Sequence, residues 1–272
     1  MSFIIASGNL YVVMKNRATS LILRAYYKES MTMKTSKTLF LGLLLCNGAY
    51  STTLDVGLMS EGRPPYFIQP TNHVPVSGMY IDILDEISQQ TGLEFNYKFL
   101  PQKRIREYIK IGLLDVEPGI APQWRTKEGE MDTTVYSEPL FESPEVLVYN
   151  PSKFPIPPSN EELMQYKSCK VLGFNSVKDA NLKEFALTSE KKIIDLIKLQ
   201  RCDWAVFPID VLSSQPSFER LKYTDPVATY SLSLRLNKEH AHQLIPINAA
   251  IREMKASGKL NVIIRSYTLE QN

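Results

Sequence analysis

The sequence contains few of the residues from which metal sites are built. Its 272 residues include only three cysteines and three histidines. His240 and His242 are two apart in a predicted helix, where side chains of that spacing do not face each other, so no metal site is expected. No Ser-His-Asp arrangement and no phosphate-binding loop is visible, and we therefore predict no catalytic residue and no cofactor.

The sequence also has no large excess of positive charge and no long apolar run. Residues 52–272 carry 25 Lys and Arg against 28 Asp and Glu, and the resulting net charge of about −3 argues against nucleic acid as a partner. The apolar run at 39–45 is about half of the roughly 20 residues that a membrane-spanning helix needs. No internal repeat, low-complexity tract or coiled-coil heptad is visible.

A secretion signal is visible at 33–51. The segment MKTSK at 33–37 is a basic head, the apolar run follows, and Ala49 and Ser51 take the minus-three and minus-one positions of a cleavage site. These are the three parts of a signal peptide, so we expect cleavage after Ser51 and a periplasmic protein of residues 52–272. Leucines precede Cys46 where a lipidation site needs a small residue, so no lipid anchor is expected.

Residues 1–32 lie upstream of this leader. We interpret them as a mis-assigned translation start or an unprocessed extension that does not belong to the mature protein. The alternative is a genuine amphipathic helix at 11–27, where apolar and basic residues are mixed.

Strand and helix patterns alternate twice along the rest of the chain. The first series has strands at 54–58, 94–99 and 116–120 and helices at 79–91 and 103–111. The second has strands at 170–174 and 204–207 and helices at 177–186 and 191–200, and the tail adds a crossing strand at 232–236 and two helices from 244 onward. Such alternation predicts sheets covered by helices, and two α/β units predict a cleft between two lobes, where ligand sites concentrate.

Five short motifs carry a resemblance to a known family. They are LDVG at 54–57 followed by PPY at 64–66, GMYIDIL at 78–84, GLLDV at 112–116, YSEPLF at 136–141 and RCDWAV at 201–206. In this order and spacing they resemble the bacterial extracellular solute-binding proteins of family 3, which serve polar amino-acid uptake. The resemblance implies a two-lobed α/β fold of the type II periplasmic-binding-protein class, each lobe a mixed, mainly parallel sheet flanked by helices, joined by a two-strand hinge.

The resemblance also implies domains and partners. Lobe 1 would comprise residues 52–148 and 234–272, and lobe 2 residues 149–233. The implied function is capture of a small polar ligand, an amino acid or related carboxylate, by a monomer that delivers it to the membrane permease of an ABC transporter. Two alternatives remain open: a ligand-sensing partner of a membrane receptor, or a cyclohexadienyl dehydratase-like enzyme with Glu61 or Asp210 as general acid.

Three charged residues stand near the family's ligand positions. Arg125 corresponds to the arginine that grips the ligand carboxylate, a geometry suited to its two-pronged donor set; alternatively it is an exposed loop residue, because its segment is shorter than in the family and lacks the threonine. Arg63 replaces a stacking aromatic. Asp210 would match the ammonium-binding acid, although it sits two residues late and could equally cap the next helix.

Further candidates complete the expected ligand site. Asn175 and Ser176 precede a predicted helix whose free N–H groups could receive a carboxylate, or they could be ordinary caps. Glu61 could line the mouth of the cleft or be solvated. Four aromatic side chains could form cleft walls, and we expect two of them there and two in the core: Tyr66, Trp124, Tyr136 and Phe141.

Two cysteines remain in the predicted mature chain, Cys169 and Cys202. Each immediately precedes a predicted strand, and in the family's strand order these strands are neighbours. Parallel pairing would bring the two Cα atoms within the range of a disulfide, and export supplies the oxidising compartment. We predict a Cys169–Cys202 disulfide, with two buried free thiols as the alternative.

The first prediction concerns the mature N-terminus. Intact mass spectrometry of the secreted protein should give the mass of a chain that begins at or near Thr52, because signal peptidase cleaves after the small residues at minus three and minus one. A mass that retains residues 1–32, or a lipid on Cys46, would show that the leader assignment is wrong.

Overall fold

A computed structural model describes residues 2–6, 9–16, 19–25, 52–174, 184–214 and 216–268. The chain divides into two compact units, residues 1–49 and 50–272. The first contains an antiparallel sheet of β1 (Ser2–Ala6), β2 (Asn9–Asn16) and β3 (Thr19–Ala25). The alternative of an amphipathic helix at 11–27 is therefore wrong; the β-branched and aromatic side chains of this segment favour strands. The predicted leader at 33–51 lies outside the described residues.

The second unit is built on one long mixed sheet. The strand order is β10-β9-β11-β8-β13-β6-β4-β5, with β12 paired to β8 and β7 to β13. Its strands are β4 (Thr53–Met59), β5 (Glu94–Leu100), β6 (Val116–Ile120), β7 (Thr134–Tyr136), β8 (Phe141–Tyr149), β9 (Ser168–Val171), β10 (Glu184–Leu187), β11 (Trp204–Pro208), β12 (Lys222–Tyr223) and β13 (Ala228–Asn237).

Helices accompany this sheet along the chain. They are α1 (Met79–Thr91), α2 (Gln102–Lys110), α3 (Glu130–Thr133), α4 (Asn160–Leu163), α5 (Glu190–Lys198), α6 (Ile209–Ser213), α7 (Leu244–Ala256) and α8 (Lys259–Thr268), with 3-10 turns at Pro122–Trp124, Pro216–Arg220 and Lys238–Gln243. None of the described helices has the length and apolar content to cross a bilayer.

The elements predicted before residue 121 are confirmed. Helix α1 buries Ile83, Leu84 and Ile87, which recur at helical spacing, and it ends where Gly92 adopts a left-handed conformation with φ of 73°. Strands β4 and β5 pair in parallel over their full length, as strand-helix-strand alternation predicts. The α/β fold class is thus confirmed, with parallel pairs at both ends of the sheet and antiparallel pairs in its centre.

The second predicted α/β series is only partly correct. The predicted helix at 177–186 is wrong in its described part, because Glu184–Leu187 is strand β10, parallel to β9. The predicted strand at 170–174 starts earlier, at Ser168, and ends at Val171. Backbone pairing with β9 creates this edge strand, and side-chain periodicity carries little information about such pairing.

Strands β8 and β13 connect the two ends of the sheet. They are antiparallel to each other, with Phe141 opposite Leu232 and Glu145 opposite Ala228. Beyond that pairing, β8 continues along β11 and β13 continues along β6. The two strands therefore hold the β9-β11 end and the β4-β6 end in one continuous sheet.

The structure has a disulfide between Cys169 and Cys202, with Cα atoms 6.0 Å apart. Strands β9 and β11 are parallel neighbours, with Ala205 opposite Cys169. The register differs from the predicted one: Cys169 lies inside β9, whereas Cys202 precedes β11. The bridge therefore runs diagonally between the strands, and both cysteines are buried.

We expect the disulfide to contribute roughly 3 to 4 kcal/mol to stability, because it closes a long loop in the unfolded chain. The two cysteines are 33 residues apart in sequence. Urea denaturation of the oxidised protein and of a Cys169→Ala/Cys202→Ala variant would measure the difference. Two titratable thiols in the denatured, unreduced periplasmic protein would contradict the bridge.

Candidate functional site

A cavity of about 420 Å³ is lined by residues of strands β4, β6, β8, β9, β11 and β13 and of the segments that follow β4 and β6. Side chains from both ends of the sheet line it: Trp124 and Arg125 follow β6, whereas Lys170 lies in β9 and Glu190 begins α5. A volume of this size lies within the usual range for small-molecule sites. Among the described residues, no group of His, Cys, Asp and Glu could hold a metal ion.

Three neighbouring strands, β11, β8 and β13, form the cavity floor. Glu145 of β8 is opposite Pro208 of β11 on one side and Ala228 of β13 on the other, and all three line the cavity. Directly opposed residues project from the same face of an antiparallel pair. Tyr230, two residues along β13, belongs to the same face and packs edge-on against Trp124 at 5.0 Å between ring centroids.

A buried carboxylate organises one wall. Glu117 of β6 accepts a hydrogen bond from Arg125 Nη2 at 2.7 Å and another from Arg235 Nη1 at 2.9 Å. Gln102 Nε2 donates to the same carboxylate at 2.8 Å. Arg125 is only 4% exposed and Arg235 is fully buried. The charge of Arg125 is thus already paired within the wall.

The same network extends to a second carboxylate. Arg106 of α2 binds Glu130 with two bonds of 2.5 and 2.6 Å, and Arg235 Nη2 lies 3.7 Å from Glu130 Oε1. All five charged side chains are buried. Arg125, the arginine of this network that lines the cavity, shares the single charge of Glu117 with Arg235, so part of its positive charge remains to favour an anion in the adjoining cavity.

The arginines determine the ionisation of Glu117. Burial alone would raise its pKa, but the charges and hydrogen bonds of Arg125 and Arg235 outweigh burial and hold the pKa at about 2. Glu117 is therefore ionised throughout the physiological range. An ionised Glu117 is the carboxylate nearest to both buried arginines and compensates their charge, with Glu130 more distant from Arg235 at 3.7 Å.

Arg63 and Glu190 form a second ion pair at the cavity. The guanidinium donates from Nε and Nη2 to the carboxylate at 2.7 to 3.1 Å. It also lies over the rings of Tyr66 and Phe174, at 5.3 and 5.1 Å from their centroids, a geometry that stabilises a cation. This pair joins the loop after β4 to the start of α5.

Aromatic side chains pack beneath this pair. Tyr66 stacks on Tyr80 with ring centroids 4.8 Å apart, and Phe141 lies beside both rings. The Tyr80 hydroxyl approaches β6 so closely that a Cβ at Gly119 would lie 1.9 Å from it, and Gly119 has a φ of 72°. Only glycine combines that backbone conformation with that contact.

Glu145 has an unusual ionisation. Burial raises the pKa of its carboxyl to about 7, with Arg63 lowering it and Glu190 raising it. Within the described part of the chain, this carboxyl has no hydrogen bond and no ion pair at salt-bridge distance. Neutral pH thus lies near its midpoint of titration.

The cavity brings together three of the predicted site residues: Arg63, Trp124 and Arg125. Glu61 is exposed and does not line it. Four others lie behind the cavity or away from it: Tyr66, Tyr136, Phe141 and Asp210. Ser176, with Asn175 beside it, lies outside the described residues.

Asp210 is placed differently from the acid that the family resemblance implies. It lies in the first turn of α6 and accepts a hydrogen bond from the Tyr66 hydroxyl at 3.4 Å. Burial raises its pKa, which the Tyr66 hydrogen bond and Arg63 partly offset. Its carboxylate thus meets the aromatic layer and not the cavity.

Several residues of the site were not predicted: Glu117, Glu145, Glu190, Tyr230 and Arg235. Two of them left a signal in the sequence. Glu117 and Arg235 are each the one charged residue of an otherwise uncharged strand segment, β6 and β13. A charge in such a strand needs a partner, and these two are partners of each other.

We predict that Glu117→Gln lowers the free energy of unfolding by about 3 to 5 kcal/mol at pH 7, because it removes the buried carboxylate paired with Arg125 and leaves Arg235 with only the more distant Glu130 at 3.7 Å. Since the pKa of Glu117 is about 2 in the folded protein, this contribution is present above about pH 4.5 and is lost as the pH falls toward 2. Urea denaturation at pH 7, 5 and 3 would measure it.

The matched control is Glu107→Gln, which removes a largely exposed carboxylate paired with Lys110 at 2.7 Å. This change should cost less than about 1 kcal/mol. An equal loss of stability in both variants, or a Glu117→Gln effect that does not shrink at pH 3, would contradict the role of Glu117.

Solved structures share this fold at low sequence identity. The chain is 18% identical to the substrate-binding protein of an amino acid ABC transporter, with a TM-score of 0.68, covering 80% of this chain and 100% of that one. It is 20% identical to a mutant of ArgBP from T. maritima, with a TM-score of 0.69, covering 80% and 96%. Both share the α/β fold of type II periplasmic binding proteins.

A third structure is the ancestral amino-acid-binding protein AncCDT-1, described as a precursor of cyclohexadienyl dehydratase. It is 17% identical, with a TM-score of 0.67, and the alignment covers 79% of this chain and 95% of that one. No curated protein is significantly similar in sequence.

Residues 54–270 match the family described as bacterial extracellular solute-binding proteins, family 3. The match covers the whole of the long sheet and the cavity. The chain belongs to the bacterial extracellular solute-binding proteins of family 3.

Proposed function

We propose that this protein captures an amino acid or a related small carboxylate in the periplasm and delivers it to an ABC transporter. The observation that carries the proposal is the cavity of about 420 Å³, lined from both ends of one sheet and bearing Arg63 and Arg125. The family consists of extracellular solute-binding proteins. A structurally similar protein serves an amino acid ABC transporter, which supports a role in uptake. The leader at 33–51 supplies export.

The proposal includes a two-lobed clamp. Lobe 1 comprises residues 52–148 and 234–272, lobe 2 comprises residues 149–233, and β8 and β13 are the hinge. In support, β8 and β13 are the strands through which the two ends of the sheet connect. A ligand that contacts both lobes stabilises the closed state by the contacts it adds across the hinge.

The cavity offers complementary charges for a zwitterion. Arg125 shares the charge of Glu117 with Arg235 and so keeps part of its own positive charge, and Glu145 on the floor can carry a negative one. Aromatic faces of Trp124 and Tyr230 supply the apolar contacts. A carboxylate at one wall and an ammonium at the floor would use both charges.

The proposed partners are the small ligand and a membrane permease, and the proposed oligomeric state is a monomer. We further propose that the protein binds without catalysing a reaction. The two acids named for a dehydratase, Glu61 and Asp210, do not line the cavity, so neither is placed to act as the general acid of the enzyme alternative.

A thermal-shift screen tests the function. The mature protein is heated with each of the 20 amino acids and with small dicarboxylates, and a ligand that binds the native state alone raises the Tm. At 100 times its Kd, such a ligand adds about 2.7 kcal/mol to the free energy of unfolding. If none of these compounds changes the Tm, the proposed function is wrong.

Arg125→Ala should reduce the affinity for the best ligand by at least tenfold, because the cavity wall loses the positive charge of this guanidinium. Arg125→Lys should not restore the affinity, since lysine lacks the two-pronged donor geometry. Isothermal titration calorimetry would measure both, with the exposed Lys127→Ala as control. Unchanged affinity in Arg125→Ala would mean that Arg125 serves only Glu117.

A further inference from the structure

The cations that line the cavity already have acidic partners. Arg63 pairs with Glu190 at 2.7 Å, and Arg125 pairs with Glu117 at 2.7 Å. Lys170 lies 2.5 Å from Glu184 across the β9-β10 pair. Among the described acids of the cavity, Glu145 differs from these three, because no cation lies at salt-bridge distance from it.

The position of Glu145 prevents its neighbours from supplying a partner. In its row across the sheet it has Pro208 on one side and Ala228 on the other, and neither carries a polar side chain. Along β8, the residues on the same face are Ser143 and Leu147. The Ser143 hydroxyl lies 3.4 Å from the Tyr66 hydroxyl, and Ser143 is fully buried.

The carboxylate of Glu145 can therefore accept hydrogen bonds from a molecule in the cavity, and none of its strand neighbours competes for it. Placing a carboxylate in a half-buried cavity floor is unfavourable unless a positive charge meets it. Asp210 does not fill this role, because it lies under the aromatic layer and bonds to the Tyr66 hydroxyl. Glu145 thus lines the cavity, whereas Asp210 does not.

We propose that Glu145 binds the cationic group of the ligand, a protonated amine or a guanidinium, and so selects cationic or zwitterionic solutes over simple carboxylates. The proposal rests on the proposed solute-binding function. It assigns to the floor strand β8 a subsite that the sequence analysis had placed on Asp210. Trp124 and Tyr230, on the same side of the cavity, offer ring faces to the same cation.

The proposal implies a pH dependence of binding. The charged groups around Glu145 are Arg63 on the loop after β4, Glu190 on α5 and Asp210 on α6, which packs against β8. Burial raises the pKa of Glu145 to about 7, so the empty site is largely protonated at pH 5.5 and ionised at pH 8.5. A cation binds the ionised form, and affinity should rise with pH across this interval.

Isothermal titration calorimetry with defined probes tests the proposal. The probes are L-arginine, L-glutamine and L-glutamate, together with 2-oxoglutarate, which keeps the two carboxylates of glutamate and lacks its amine. Each is titrated into the wild-type protein and into Glu145→Gln at pH 5.5 and 8.5. Amino acids bound by the wild type should lose at least tenfold in affinity in Glu145→Gln at pH 8.5, and the variant should lose the pH dependence.

Two variants serve as controls. Glu142→Gln removes an exposed acid from the same strand, three residues away, and should bind like the wild type. Glu145→Asp keeps the charge and should retain more affinity than Glu145→Gln, which separates a charge effect from a packing effect. Because Glu145→Gln replaces a carboxyl whose ionisation burial disfavours, its Tm without ligand should equal or exceed that of the wild type at pH 8.5.

The outcomes separate this proposal from the proposed function. An amino acid that binds the wild type and Glu145→Gln equally well would overturn the role of Glu145 and leave the solute-binding function in place. Preference of the wild type for 2-oxoglutarate over L-glutamate would do the same. If the wild type bound no probe and no compound of the wider screen, both proposals would fall.

Discussion

The carboxylate of Glu117 is the group on which the cavity wall depends. Two arginines and a glutamine donate to it, and it lies in β6, a strand buried along its whole length. Without this negative charge, Arg125 would lose its paired carboxylate in the interior and Arg235 would keep only Glu130 at 3.7 Å, which costs several kcal/mol. The network through Glu130 and Arg106 extends the same compensation to helix α2.

Arg125 has two roles in this network: it lines the cavity, and it pairs with Glu117. Because Glu117 holds it, its guanidinium is oriented before any ligand arrives. Preorganised donors lose little entropy on binding. The cost is that part of the charge of Arg125 is already neutralised, and a ligand anion would meet only the part that remains because Glu117 is shared with Arg235.

Contacts between residues far apart in sequence also join the two ends of the sheet. The Ser214 hydroxyl donates to the Pro64 carbonyl at 2.7 Å, and Arg106 Nη1 donates to the Gly173 carbonyl at 3.3 Å. Together with the Arg63–Glu190 pair, they join the segment after β4 and helix α2 to α5, α6 and the end of β9. These bonds would have to break if the two ends of the sheet moved apart, so they oppose opening as a bound ligand would.

The sequence by itself determined the fold class, the first α/β series and the membership in the family, because helical and strand periodicities are local and the motif order spans the chain. It also pointed to Arg63, Trp124 and Arg125 as cavity residues. It misplaced β10, because an edge strand is defined by its partner's backbone and not by its own side chains.

The tertiary structure alone decided which charges are paired. Glu117 and Arg235 are 118 residues apart, and Arg63 and Glu190 are 127 apart, so no local pattern reveals either pair. The antiparallel register of β11, β8 and β13 likewise set Glu145 between a proline and an alanine in the cavity floor. Pairing and register depend on how distant strands meet, and this is the physical reason why the sequence indicated a binding site but not the charges it offers.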